Sequence, residues 1–266
     1  MELYAEKIRE MLRGDARKFS LRVLPVAAST NTLAREAGAA GAEAGLVILA
    51  GEQTAGRGRL GRSFFSPEGT GLYMSLLLRP HLPPEKVIRI TTAAAVAVCR
   101  AVEKLTGERP GIKWVNDIFL RGRKVCGILT EAAFDGRAGL RYAVLGIGIN
   151  VMPPRGGFPP EIADIAGSIF DAYAPGLRER CAAEVLSCLA EVLPGLAVGG
   201  HAEEYRDRSL VLQRRVKILG GSGGEGVVTD IDSECRLHIR RDDGREEILS
   251  TGEISIRMEE TEGNSR

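Results

Sequence analysis

No apolar run in this sequence is long enough to cross a bilayer. The longest, TTAAAVAV at 91–98, gives way to Cys99 and Arg100, whereas a spanning helix needs about 20 apolar residues. The opening MELYAEKIREMLRGD is charged and amphipathic, without the apolar stretch of a secretory signal. Cysteine is sparse: Cys99, Cys126, Cys181, Cys188 and Cys235 are an odd number with no CxxC spacing, and the chain has three histidines. That pattern excludes a disulfide framework and a zinc site, and predicts reduced thiols in a cytoplasmic protein.

A dominant charge is missing as well. Lysine and arginine total 36 against 35 acidic residues, a net charge of +1, too little for broad electrostatic capture of nucleic acid. Lysine is the scarcer of the two cations, with seven against 29 arginines. What is present is ordinary for a globular protein: 44% hydrophobic and 27% charged residues. A chain of 266 residues suffices for one large domain with a small one appended.

Periodicity supplies the coarse architecture. Residues 2–13 predict a short helix, with Leu3, Ile8 and Leu12 near helical spacing. Leu21–Val26 reads as a strand, and Ser29-Thr30-Asn31 offers N-cap residues to a helix through LAREAGAA. Strands are expected at 46–50, 72–78, 111–115, 124–132 and 142–151, and helices at 84–105, 176–193 and 200–208. MPPRGGFPP reads as a proline-rich loop. After Ser209 the pattern becomes short alternating strands between GGSGG, DSE and RDDG turns. The expected organisation is an α+β domain at 1–209, a small SH3-type β-barrel at 210–258 and a disordered tail at 259–266.

Two segments carry chemistry. Gly56-Arg57-Gly58-Arg59-Leu60-Gly61-Arg62-Ser63 packs three glycines and three arginines into eight residues. Glycines let the backbone approach a ligand, and guanidinium forks match phosphate or carboxylate oxygens. A loop this charged is expected to settle only when an anion arrives. The plain alternative is a solvated basic turn or an RNA-touching patch, and the GxxxxGK[ST] phosphate loop is absent. The second segment runs from Lys113-Trp114-Val115-Asn116-Asp117 to Lys124-Val125-Cys126-Gly127-Ile128 and holds two of the seven lysines. A compact ammonium there suits tight phosphate chemistry. By default Trp114 is a core residue, Asn116-Asp117 a turn and the lysines the solvated ends of a hairpin.

Taken in order, STN at 29–31, EQTAGRGRLGR at 52–62, FSP at 65–67, GLYMSLLLRP at 71–80, KWVND at 113–117, GRKVCGILTEA at 122–132, GIGINV at 146–151 and GEISIR at 252–257 resemble the biotin protein ligase family from about Leu21 to Arg257. The resemblance implies a catalytic domain like that of class II aminoacyl-tRNA synthetases and biotin synthetases, with a C-terminal SH3-like barrel. It implies ATP, Mg²⁺ and biotin as ligands, and the biotin carboxyl carrier domain of a carboxylase as acceptor. By position, Ser29, Thr30, Asn31 and Gln53 match residues holding the biotin ring. Arg57, Gly58 and Arg59 match the loop over biotin and the adenylate phosphate. Lys124 matches the lysine between carboxylate and α-phosphate, with Gly127 behind it. Asn116 and Asp117 match the adenylate-site pair, Asp117 being the candidate to assist Mg²⁺ and, with Lys124 and Arg59, the chemistry. Arg62, Trp114, Asn150 and Arg257 complete the expected nucleotide side.

Val115 stands where the family commonly has proline, and an aromatic such as tryptophan is common near Phe64. About 20 residues precede the first matched strand, fewer than the winged helix-turn-helix by which some members repress transcription, so no DNA partner is expected. A homodimer through a sheet edge is one assembly the resemblance allows. Lipoate protein ligases and octanoyltransferases of the same fold, and a non-catalytic biotin-sensing protein, stand as the alternative readings.

Overall fold

The computed structural model describes residues 3–136, 139–219 and 223–256. It opens with helix α1 (Ala5–Met11), whose Ile8 is fully buried, and strand β1 (Ser20–Ala27). Helix α2 (Thr30–Ala39) starts at the Ser-Thr-Asn signal, with Ser29 at the N-cap position. Strands β2 (Leu46–Gln53) and β3 (Gly71–Leu78) flank the arginine loop. The alanine-rich run forms α3 (Ile88–Thr106), which is apolar nearly all round and accordingly buried.

The lysine segment departs from expectation. Strand β4 (Gly111–Lys113) ends early, a turn covers 114–116, and Asp117 opens an unpredicted strand β5 (Asp117–Leu120). Arg121 and Gly122, both at positive φ (51° and 73°), then reverse the chain. That two-residue turn requires left-handed backbone at both positions, which glycine supplies without a Cβ clash. Strands β6 (Arg123–Phe134) and β7 (Leu140–Asn150) follow. The proline-rich loop leads into a single helical turn, α4 (Pro160–Ala163), and then α5 (Leu177–Val192) and α6 (Ala202–Asp207).

These strands make one seven-stranded sheet in the order β1-β2-β3-β7-β6-β5-β4, parallel only between β1 and β2. Its two faces are sorted by side-chain alternation. Leu72, Met74 and Leu76 of β3 and Leu145, Ile147 and Ile149 of β7 join the main core beside α3 and α5. Leu77, Tyr142 and Val144 form a smaller cluster with Ala34 of α2 on the opposite face. The face under α2 is where the sheet is left partly open.

The C-terminal segment is a five-stranded antiparallel sheet, β8 (Arg215–Leu219), β9 (Glu225–Ile231), β10 (Leu237–Arg241), β11 (Glu246–Leu249) and β12 (Glu253–Ile256), in the linear order β11-β10-β9-β8-β12. Its buried Val216, Val228, Leu237 and Ile254 are continuous with the main core. Two polar links reinforce the join: Arg89 of α3 is almost completely buried and donates to Glu234 (2.5 and 3.1 Å), and Trp114 Nε1 donates to Cys235 O (3.0 Å). The tail expected at 259–266 lies outside the described residues.

Candidate functional site

Strand β7 alternates Gly146, Ile147, Gly148, Ile149, with the isoleucines in the core and the glycines on the face under α2. Gly146 pairs with Leu129 and Gly148 with Gly127 of β6. The missing side chains leave a shallow floor, as glycine does where another group must approach a strand. A Cβ on Gly146 would lie 2.1 Å from Asn31 Oδ1, and one on Gly148 would lie 2.6 Å from the Phe64 ring. Above the floor opens a cleft lined by α2, the arginine loop, β6, β7 and Glu253 of the C-terminal segment, the kind of concave site that small ligands occupy.

One side of the cleft is lined by uncharged side chains, most of them bonded to one another. Gln53 Oε1 accepts from Thr30 N (2.9 Å) and Thr30 Oγ1 (3.1 Å). Ser75 Oγ donates to Asn31 Oδ1 (2.6 Å) and lies 2.8 Å from Thr30 Oγ1. Asn31 Nδ2 donates to Glu131 Oε2 (2.9 Å). The Ser29 hydroxyl makes no helix-capping bond and lines the cleft. Donors and acceptors thus alternate on rigid elements, an arrangement suited to a small ligand rich in amide-like groups.

The other side is cationic. The arginine loop folds as a hairpin, with Phe64 N donating to Gly56 O (2.9 Å) and Gly58 N to Arg62 O (2.7 Å). Arg59 reaches across to Asn116 Oδ1 (3.0 Å), while Asn116 Nδ2 donates to Ile128 O (3.0 Å) and Asp117 Oδ1 (3.1 Å). Burial lowers the Arg59 pKa, against the opposing pull of Asp117 and Glu253. Burial also holds the Lys113 ammonium below its usual range, opposed by Asp117 and aided by the charge of Lys124. Arg57 pairs with Glu131 (2.9 Å) and Arg62 with Glu253 of β12 (2.5 Å), so the C-terminal sheet supplies part of this wall.

Lys124 stands between the two sides, and a bulge puts it there. Ile118 faces Cys126 but Phe119 faces Lys124, leaving Val125 without a partner across β5. The extra residue shifts the alternation by one. Gly127 and Leu129 line the cleft, Glu131 lies on the same face bonded to Asn31, and the shift brings Lys124 to that face, where its Cε is 3.6 Å from the Cβ position of Gly127. Unbroken alternation would have turned it into the core. Lys124 Nζ meets Asp117 Oδ1 at 2.7 Å.

The sequence-predicted residues Ser29, Thr30, Asn31, Gln53, Arg57, Gly58, Arg59, Arg62, Trp114, Asn116, Asp117, Lys124 and Gly127 all line this one cleft. Asn150 does not; its Nδ2 donates to Gly167 O (2.9 Å) at the end of β7. Arg257 lies outside the described residues. Lys113, singled out with Lys124 as a candidate cation, also lines the cleft; sequence reading gave no role to Ser75, Glu131 and Glu253, although each lies inside one of the quoted motifs. Glu131 was findable from strand parity, being two pairs of residues beyond Gly127 on the same face.

The family described as biotin/lipoate A/B protein ligases matches residues 23–150, and the C-terminal domain of biotin protein ligases matches residues 211–257. The chain is 40% identical to a bifunctional ligase/repressor BirA of Bacillus spizizenii over 231 residues, covering 86% of this chain and 67% of that one. It is 34% identical to a biotin–[acetyl-CoA-carboxylase] ligase of Mycobacterium tuberculosis over 245 residues, 88% of each chain. The solved structure of a biotin protein ligase from Aquifex aeolicus in complex with biotin and ATP shares its fold, with a TM-score of 0.74 and 27% identity over 90% of this chain and 98% of that one. Because the mycobacterial likeness runs through both sheets and both matched segments fall on the walls of one cleft, this chain belongs to the biotin protein ligase family.

Proposed function

We propose that this protein activates biotin with ATP to biotinyl-5′-AMP and transfers the biotinyl group to a lysine of a biotin carboxyl carrier domain, in the cytoplasm. The observation that carries the reading is the placement of Lys124, aimed by a bulge to the seam between a neutral, hydrogen-bonding half-site and a cationic one. A bicyclic ureido ring presents N–H donors and a carbonyl acceptor, which Ser29, Thr30, Asn31 and Gln53 can satisfy. The valerate carboxylate then runs toward Lys124 and Arg57, and the nucleotide occupies the side of Arg59, Arg62, Trp114 and Asn116. Residues 1–209 serve as the catalytic unit, and 210–258 close the nucleotide side through Glu253.

In the first step a carboxylate oxygen attacks the α-phosphorus of ATP and pyrophosphate leaves. Two anions must approach, so the protein's work is positioning and charge neutralisation. Lys124 and Arg59 sit where the charge gathers. Among the described residues no group of three or more His, Cys, Asp or Glu is assembled to hold a metal. Asp117 is the cleft carboxylate that would hold a magnesium ion, which would supply further neutralisation of the triphosphate charge. In the second step the acceptor amine attacks the acyl carbon and AMP leaves; Asp117, freed from Lys124 as the lysine turns to phosphate, is placed to orient that amine.

A lipoate ligase reading makes less use of the neutral half-site, since a dithiolane ring offers no N–H or carbonyl to Ser29, Thr30, Asn31 and Gln53. Incubation with ATP, Mg²⁺ and either biotin or lipoate, without acceptor, followed by mass spectrometry, tests both. Biotinyl-AMP retained by the protein is expected. Lipoyl-AMP alone would overturn the reading, and bound biotin without adenylate would make this a sensing protein.

A further inference from the structure

Glu131 is tied to both halves of the cleft, and no other described residue of β6 is. Its side chain, 22% exposed, accepts from Asn31 Nδ2 at Oε2 (2.9 Å) and from Arg57 Nη1 at Oε1 (2.9 Å). Asn31 is buried, held by Ser75 at 2.6 Å, and fills the space that a Cβ on Gly146 would enter. Arg57, 44% exposed, is the partner with freedom to move. The far end of the loop is held by the same polar chain, because Gln53 Nε2 donates to Ser66 Oγ (3.1 Å) and Ser66 Oγ donates to Phe64 O (2.9 Å). From Arg57 the path runs through Glu131 and Asn31 to Ser75, whose Oγ lies 2.8 Å from Thr30 Oγ1, and from Thr30 through Gln53 and Ser66 back to the loop at Phe64.

We infer that Glu131 is a positioning residue that couples occupation of the ring half-site to closure of the arginine loop over the activated intermediate. The inference rests on the ligase reading above and adds the route by which the neutral half of the site controls the charged half. Charge pattern selects a carboxylate at this position. Both partners are donors, and Asn31 cannot reverse its amide without losing Ser75. An amide at 131 would satisfy one partner and turn a donor against the other. An ion pair this open to solvent contributes little to fold stability, so its value lies in where it puts Arg57. A ligand that fixes Asn31 and Gln53 steadies both anchors of the loop, and by linkage a closed loop holds that ligand longer.

The test compares the full-length protein with Glu131→Gln, Arg57→Met and the double variant. It uses biotin, ATP and Mg²⁺ in single turnovers, then times biotinyl-AMP release by rapid gel filtration. For Glu131→Gln, biotinyl-AMP release is expected to quicken by about tenfold, more than biotin affinity falls or adenylate formation slows. Arg57→Met should also speed release, and the double variant should release no faster than the faster single one, since each breaks the same link. Release of adenylate by Glu131→Gln at the wild-type rate, or multiplying effects in the double variant, would overturn the coupling. So would loss of biotin binding in Glu131→Gln, which would make Glu131 a structural support for Asn31. Wild-type protein that forms no biotinyl-AMP would overturn the ligase reading itself, a result separable from all of these.

Discussion

The two halves of the cleft are built on opposite principles. The neutral half is drawn from α2, β2 and β3, where Thr30, Asn31 and Ser75 are buried and bonded to one another. The cationic half hangs on a loop whose Leu60 is 72% exposed at a positive φ of 55° and whose Arg57 and Arg62 form solvent-exposed ion pairs with Glu131 and Glu253. A neutral ligand offers only short-range hydrogen bonds, so its partners must already stand in position. A polyphosphate acts over distance and can draw its own partners together. Rigidity is found where recognition is by shape, and looseness where it is by charge.

The sharpest way to break this contrast is to remove the residue on the seam. Lys124→Met should lower the rate of biotinyl-AMP formation by a factor of about 10²–10³, the cost of losing one preorganised charge partner in such a site. Single-turnover kinetics would measure it, and a loss below tenfold would shift the burden to Arg59 and Lys113. Next in size is Gly146→Ala, which attacks the rigid half alone. Its Cβ would fall 2.1 Å from Asn31 Oδ1, and Asn31 has no slack. Biotin affinity by calorimetry should drop by roughly 10–100-fold with nucleotide binding unchanged, because strain in close packing stays local. Equal losses for both ligands would erase the distinction between the halves.

Much of this was legible in the sequence, and what was not has physical causes. The strands β2, β3 and β7 follow from apolar runs bounded by glycine and polar residues, and the thirteen cleft residues named beforehand came from ordered motifs. Strand β5 escaped because Asn116-Asp117 reads as a turn; Asn116 instead uses its side chain to bind Ile128 O and ends the reversal one residue early. The bulge at Val125 leaves no mark in hydrophobic spacing, since Val125 and Cys126 are both apolar and both buried, so the direction of Lys124 could be expected only from the resemblance. Glu131 and Glu253 act across 74 and 191 residues of sequence from their arginines, a relation that no local pattern contains. Asn150, chosen by motif, ties the end of β7 to Gly167 instead.

On the loose half, effects should be smaller and should fall on retention rather than on formation. Arg59→Gly removes the bond to Asn116 and a cation near the phosphate, yet Lys124 and Lys113 remain. Release of biotinyl-AMP should quicken by about tenfold while its formation slows less, as expected when a closing segment is loosened. Filter-binding of the adenylate complex would show it, and formation slowed more than release quickens would make charge neutralisation, not retention, the main work of Arg59.

The smallest effect belongs to the outermost contact. Arg62 is 64% exposed in its pair with Glu253, and such pairs are worth about 0–1 kcal/mol. Arg62→Ala should therefore move the urea midpoint hardly at all and leave biotin binding as it was. If the C-terminal sheet holds the loop chiefly through this pair, adenylate release should still rise by about twofold to threefold, within that energy range. If it does so through the buried Trp114–Cys235 and Arg89–Glu234 links instead, release should not change. The loose half would then be steadied from behind, through β4 and the rigid core, and the difference between the halves would be one of distance from that core rather than of kind.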